Sequence, residues 1–189
     1  MRGGRAAAGR LRLAAVRAMF RALMRHIISI LLQNEAGALA RVAGMFSARG
    51  YNIESLTVAP THESTVSRLT LVTTGSDAVI DQIIKQSRKL IDIVEITDLT
   101  ARDHLEYELV MLKLSVTPPT ARQVVECVRR HRGVILDETE TTRTVQLTGT
   151  GAEVNAFLAE IAGVARVLEL VRSGTAALER GGAVLAPAQ

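Results

Sequence analysis

Aromatic side chains are scarce: three Phe, two Tyr and no Trp in 189 residues, too few for the stacking platforms that single-stranded nucleic acids need. The single cysteine, Cys127, excludes an internal disulfide and any multi-cysteine zinc site, and fits a reducing compartment. No apolar run approaches the ~18 residues of a membrane-spanning helix. The four histidines (His26, His62, His104, His131) form no H-x-x-x-H or H-x-x-E pair. They read as surface or strand-edge residues, and no metal site is expected. There is no G-x-S-x-G and no G-x-G-x-x-G behind a strand. Gly149-Thr150-Gly151 lacks the Gly-Lys-Ser/Thr of a phosphate loop and reads as a strand-to-helix turn. No catalytic residues emerge, and the chain is expected to have no active site of its own.

Apolar residues make up 48% of the chain and charged ones 22%, enough for a packed core. The net charge of +4 is unevenly placed. Residues 1–23 hold six arginines and no acid, and without them 17 basic groups face 19 acids, a balance of −2. A nucleic-acid argument from overall charge therefore fails. The leader fits a cationic membrane-surface helix or a targeting segment poorly, having no Ser and no A-x-A site behind a long apolar stretch. It is read as lying outside the fold, with Met24 as the expected start. Cys127 shares a helix with Val124, Val125 and Val128 and reads as a buried structural thiol, although Arg129, Arg130 and Arg132 would lower its pKa if close. Asp137, Glu138 and Glu140 read as a solvated turn.

From residue 26 the hydrophobic periodicity alternates in a fixed order. His26–Leu32 is a nearly continuous apolar run, as in a central strand. Leu39, Val42, Ala43 and Phe46 form one helical stripe that stops at Arg49-Gly50. Strands are predicted at Asn52–Ala59 and Val66–Thr74, a helix around Val79, Ile80, Ile83 and Ile84, and a strand at Ile91–Leu99. The same β-α-β-β-α-β order recurs. It comprises strand Glu108–Val116, a helix with Val124, Val125 and Val128, strands Val134–Glu138 and Thr144–Leu147, helix Val154–Ile161 and strand Val164–Val171. The fold class is α+β, two tandem ferredoxin-like domains. Their expected bounds are 24–100 and 106–172, with a linker at 101–105 and a tail at 173–189. The second strand of such a domain lies at a sheet edge. Here that edge, Ile53–Ala59, holds one charge and no internal proline, a template for pairing with another chain.

The first strand-to-helix turn carries binding chemistry. Gly37 lets a ligand approach the backbone, and the amides of Gly37, Ala38 and Leu39 are expected at the positive end of a helix dipole, a site for a carboxylate. Asn34 and Asn52 offer side-chain amides, and Leu39, Ile53 and Leu56 an apolar recess; together these suit a small α-amino acid. Charge-assisted hydrogen bonds of ~1.5–3 kcal/mol each put three such contacts, with a buried small side chain, near micromolar affinity before ordering costs. A bland reading is equally available from these residues: Asn34 caps the turn and Gly37 permits it.

The run Asn34-Glu-Ala-Gly-Ala-Leu-Ala-Arg-Val-Ala-Gly-Met-Phe-Ser-Ala-Arg-Gly-Tyr-Asn-Ile-Glu-Ser-Leu-Thr-Val58 resembles the signature of the regulatory small subunits of acetolactate synthase. Thr144–Thr150, Ala156-Phe-Leu158 and Val171-Arg-Ser-Gly174 resemble the second half of that family. The likeness runs from Met24 to about Arg180. It implies an N-terminal ACT domain, the amino-acid-sensing ferredoxin-like module, followed by an ACT-like C-terminal domain. It implies a non-catalytic, cytoplasmic regulatory subunit in branched-chain amino acid biosynthesis. Such a subunit activates a separate large subunit and confers feedback inhibition by valine. The resemblance puts thiamine diphosphate, Mg²⁺ and FAD on that partner and none on this chain. It puts valine between paired ACT domains at Asn34, Gly37, Ala38, Leu39, Asn52 and Ile53. The alternatives are a free-standing ACT sensor acting on another protein and an RNA-binding module. The latter is disfavoured because the central strands Ile27–Leu32 and Val66–Thr74 hold no aromatic residue.

Overall fold

The computed structural model describes residues 24–186. The arginine-rich leader lies outside the described residues. The chain divides into two units between Asp103 and His104, within the stretch read as a linker, and the second unit runs to Arg180.

The first unit follows β1 (Met24–Gln33), α1 (Ala38–Ala48), β2 (Ile53–Pro60), β3 (Val66–Gly75), α2 (Asp77–Ser87) and β4 (Ile93–Asp98). Its antiparallel sheet has the order β2-β3-β1-β4, so β2 lies at an edge and β1 in the interior. The apolar run of β1 is explained by burial on both faces. Ile28, Ile30 and Leu32 join the core with Leu69, Leu71, Val42, Phe46, Ile80 and Ile83, while Ile27, Ser29 and Leu31 on the opposite face are buried too. The helix stripe is rotated slightly from expectation: α1 buries Ala38, Val42, Met45 and Phe46 and leaves Leu39 exposed. Full burial of a side chain like Phe46 contributes about 1.5–3 kcal/mol.

The second unit repeats the order with β5 (His104–Ser115), α3 (Pro118–Arg130), β6 (Val134–Glu138), β7 (Thr142–Gly149), α4 (Gly151–Val164) and β8 (Arg166–Arg172). Its sheet order is β6-β7-β5-β8. Val110, Leu112 and Leu114 of β5 pack under Val124, Val128, Phe157 and Ile161. Two features differ from the sequence reading. β5 begins at His104, inside the expected linker, and a further strand, β9 (Ala176–Glu179), lies in the expected tail. β9 pairs antiparallel with His104–Tyr107, the early half of β5, which extends past the other strands and would otherwise be unpaired there.

Candidate functional site

The β1–α1 turn is pinned to the β2–β3 hairpin. The Asn34 N–H donates to the Thr65 carbonyl at 2.8 Å, and Asn34 Nδ2 donates to the Ser64 carbonyl at 2.9 Å. Gly37 then opens α1 in the left-handed region, at φ +86°. No side chain caps this helix, and its first turn contains no acidic residue. Of the three amides expected to be free, one is used: the Ala38 N–H donates to the Glu35 carbonyl at 3.2 Å. The N–H groups of Gly37 and Leu39 have no hydrogen-bond partner among the described residues.

Sequence reasoning missed the cation beside this turn. Arg41, one turn into α1, donates from Nε and Nη2 to the two carboxylate oxygens of Asp92, each at 2.6 Å. Asp92 is buried, and Arg41, through its hydrogen bonds above all, holds its carboxyl below the usual carboxylate range. A Cβ at Gly37 would lie 2.8 Å from Arg41 Nη1, so the glycine serves this clasp as well as the turn. The pair spans 51 residues, and no local spacing announces it.

Asn52 and Ile53 lie elsewhere. Asn52 precedes β2, its carbonyl accepts from Thr73 Oγ1 at 2.6 Å, and its exposed side chain has no partner among the described residues. Ile53 and Leu56 lean on the first core. The register sets Ile53 opposite Thr73 and Pro60 opposite Ser67, whereas Asn34 sits beside Thr65. The length of β2 therefore separates Asn52 from Asn34, roughly 25 Å at ~3.3 Å per residue. Within one chain, Asn34, Gly37, Ala38 and Leu39 lie at one end of the sheet. Asn52 and Ile53 lie at the opposite end. Between them runs β2, with one edge paired to β3 and the other unpaired among the described residues.

The helix starts of the second unit are closed. Thr117 and Thr120 make a reciprocal capping box on α3, and Thr150 and Glu153 make one on α4. Gly149-Thr150-Gly151 is thus a strand-to-helix turn. The histidine reading needs correction at two positions. His26 is buried within β1, where the Asp98 carboxylate lies 3.0 Å from Nδ1. His131 is half-buried against Phe157 with Nε2 2.8 Å from Glu160. Nor do the neighbouring arginines govern Cys127: burial and the negative charge of Glu160 push its thiol up to about 11. No helix among the described residues is long and apolar enough to cross a membrane.

Comparison with known proteins bears on both units. A family described as the AHAS small subunit-like ACT domain matches residues 28–95, and one described as the small subunit of acetolactate synthase matches residues 107–181. The acetolactate synthase isozyme 3 small subunit of Escherichia coli is 46% identical over 162 residues, 86% of this chain and 99% of that protein. The acetolactate synthase small subunit of Aquifex aeolicus is 38% identical over 82% of this chain and 81% of its own. Among solved structures, the acetolactate synthase small subunit from Thermotoga maritima superposes with a TM-score of 0.78 at 30% identity, covering 85% of this chain and 99% of that one. Both halves of the fold, and 81% or more of the length of each of these relatives, are accounted for together: the chain belongs to the acetolactate synthase small-subunit family.

Proposed function

We propose that this chain is a regulatory subunit that activates an acetolactate synthase large subunit and makes it sensitive to inhibition by valine. The observation that carries the reading is the separation of the two half-sites along β2, one edge of which no other described strand pairs with. Two copies pairing antiparallel through β2, across a twofold axis, bring the Asn34–Leu39 turn of one copy to the Asn52 end of its partner. Each seam then gathers uncapped helix amides for a carboxylate, asparagine oxygens for an ammonium group, and apolar surface at Leu39 for a small side chain. The site exists only in the dimer, so effector binding favours one arrangement of the paired domains. A coupling of ~1–3 kcal/mol from that arrangement to the large subunit is the usual size of such an effect.

Membership in the family supports the partner, whose chemistry relies on thiamine diphosphate, Mg²⁺ and FAD bound to the large subunit. The free thiol of Cys127 fits work in the reducing cytoplasm. The test is an acetolactate assay of the large subunit with and without this chain across a valine titration. The reading expects higher activity on adding the chain and a loss of that activity as valine rises. Activity indifferent to the chain would refute the regulatory role, and activation indifferent to valine would refute the effector.

A further inference from the structure

Cys127 and His131 stand four residues apart at the end of α3, a spacing that stacks two side chains on one helix face. Across from them, Glu160 of α4 sets one carboxylate oxygen 2.8 Å from His131 Nε2, and the Cys127 sulfur lies close to both. One donor atom from each of the three lies within 4.8 Å of the other two. We propose that Cys127, His131 and Glu160 form a binding site for a single divalent cation of the zinc class, with three protein ligands and a fourth position open to water.

The donor set selects the ion. A thiolate beside an imidazole disfavours Mg²⁺ and Ca²⁺, which take oxygen ligands, and suits a borderline-soft ion such as Zn²⁺. Tetrahedral bonds of ~2.0–2.3 Å place neighbouring ligands ~3.3–3.8 Å apart, so side-chain adjustments of the order of 1 Å close the cluster on an ion. Burial is graded to match: Cys127 forms a closed floor, while the His131 and Glu160 side chains are 19% and 33% exposed and leave a path for the ion and its water. The shell behind the ligands is present too. Arg130 holds the other oxygen of Glu160, and the His131 ring rests on Phe157 with centroids 5.4 Å apart. Thiolate and carboxylate together offset the charge of a dication, with Arg130 as the opposing charge. On binding, the thiol proton goes to solvent, and the imidazole presents a lone pair at Nε2 with its proton on Nδ1. An ion held this way ties α3 to α4 and couples metal availability to the stability of the second unit. The C-x-x-x-H spacing is local to the end of α3, whereas Glu160 lies 29 residues further on in α4.

The sequence has one cysteine, so a thiolate-to-metal charge-transfer band on adding Co²⁺ can come only from Cys127. Full-length chain freed of metal by chelator dialysis and titrated with Co²⁺ is expected to develop that band, saturate at one ion per chain, and lose it to added Zn²⁺. Cys127→Ser should abolish the band. His131→Gln and Glu160→Gln, checked for folding by circular dichroism, should each weaken binding at least ~10-fold. In the unaltered chain Zn²⁺ should slow alkylation of the thiol and raise the melting temperature. Absence of the band at millimolar Co²⁺ would overturn the site. So would saturation at one ion per two chains, or unchanged affinity in both the His131 and Glu160 variants.

Discussion

At Gly37 a backbone angle and a neighbouring side chain make the same demand. A φ of +86° disfavours any L side chain by ~1–2 kcal/mol, and a Cβ there meets the Arg41 guanidinium at 2.8 Å. Gly37→Ala is therefore expected to lose about 1–2 kcal/mol in urea denaturation. Asn52 is the cleaner probe of the proposed effector site, because its side chain is exposed and bonds nothing described. Asn52→Ala should leave stability within ~0.5 kcal/mol while abolishing valine inhibition in the holoenzyme assay. Retained sensitivity would remove Asn52 from the site. Asp92 contributes to the pH dependence. Its carboxyl is depressed in the fold, so the folded state binds the proton less tightly than the unfolded chain does. The stabilisation is complete above the unfolded carboxylate value of ~3.9 and is lost as pH falls through the lower folded value. Melting followed from pH 7 down to pH 3 should show a shallower acid limb in Asp92→Asn than in the unaltered chain.

At the level of elements, the period of the hydrophobic pattern made most of the fold legible. β1 was readable because burial on both faces demands an unbroken apolar run, and α1 because Val42 and Phe46 sit one turn apart beside Gly50. What escaped depended on partners distant in sequence. β9 is four residues long, and it is a strand because β5 outruns its other neighbours, a fact of length matching rather than of residue type. The candidate site was legible to the same limit. The turn chemistry of Asn34 and Gly37 is local, whereas Arg41–Asp92 and the placement of Asn52 at the far end of β2 exist only once the sheet has formed. The element on which the proposed function turns is the edge of β2 that no other described strand pairs with. Val58, 37% exposed on that strand, is a position where a charge discourages strand addition at little cost to the monomer. Val58→Lys should sediment as a monomer and lose valine inhibition together. A stable dimer in that variant would place the interface elsewhere.

The whole molecule uses one topology twice with different chemistry at the helix starts. Capping boxes close α3 and α4, while α1 begins on a bare glycine beside a guanidinium, and it is this first-unit turn that the proposed effector site uses. Because the two proposed half-sites lie at opposite ends of β2, a dimer makes an unusual prediction. Asn34→Ala and Asn52→Ala homodimers each have both seams damaged, and each is expected to be valine-insensitive. In a mixed dimer of the two variants, one seam combines both substitutions and the other combines neither. Equal mixing with free exchange makes about half the dimers mixed, so about a quarter of all seams are intact. Valine binding measured by calorimetry should therefore return to about a quarter of the unaltered stoichiometry on mixing two chains that bind nothing alone. A site contained within one chain predicts no recovery at any ratio, because every chain in the mixture is damaged. The recovered fraction thus separates a seam from a pocket without reference to the large subunit.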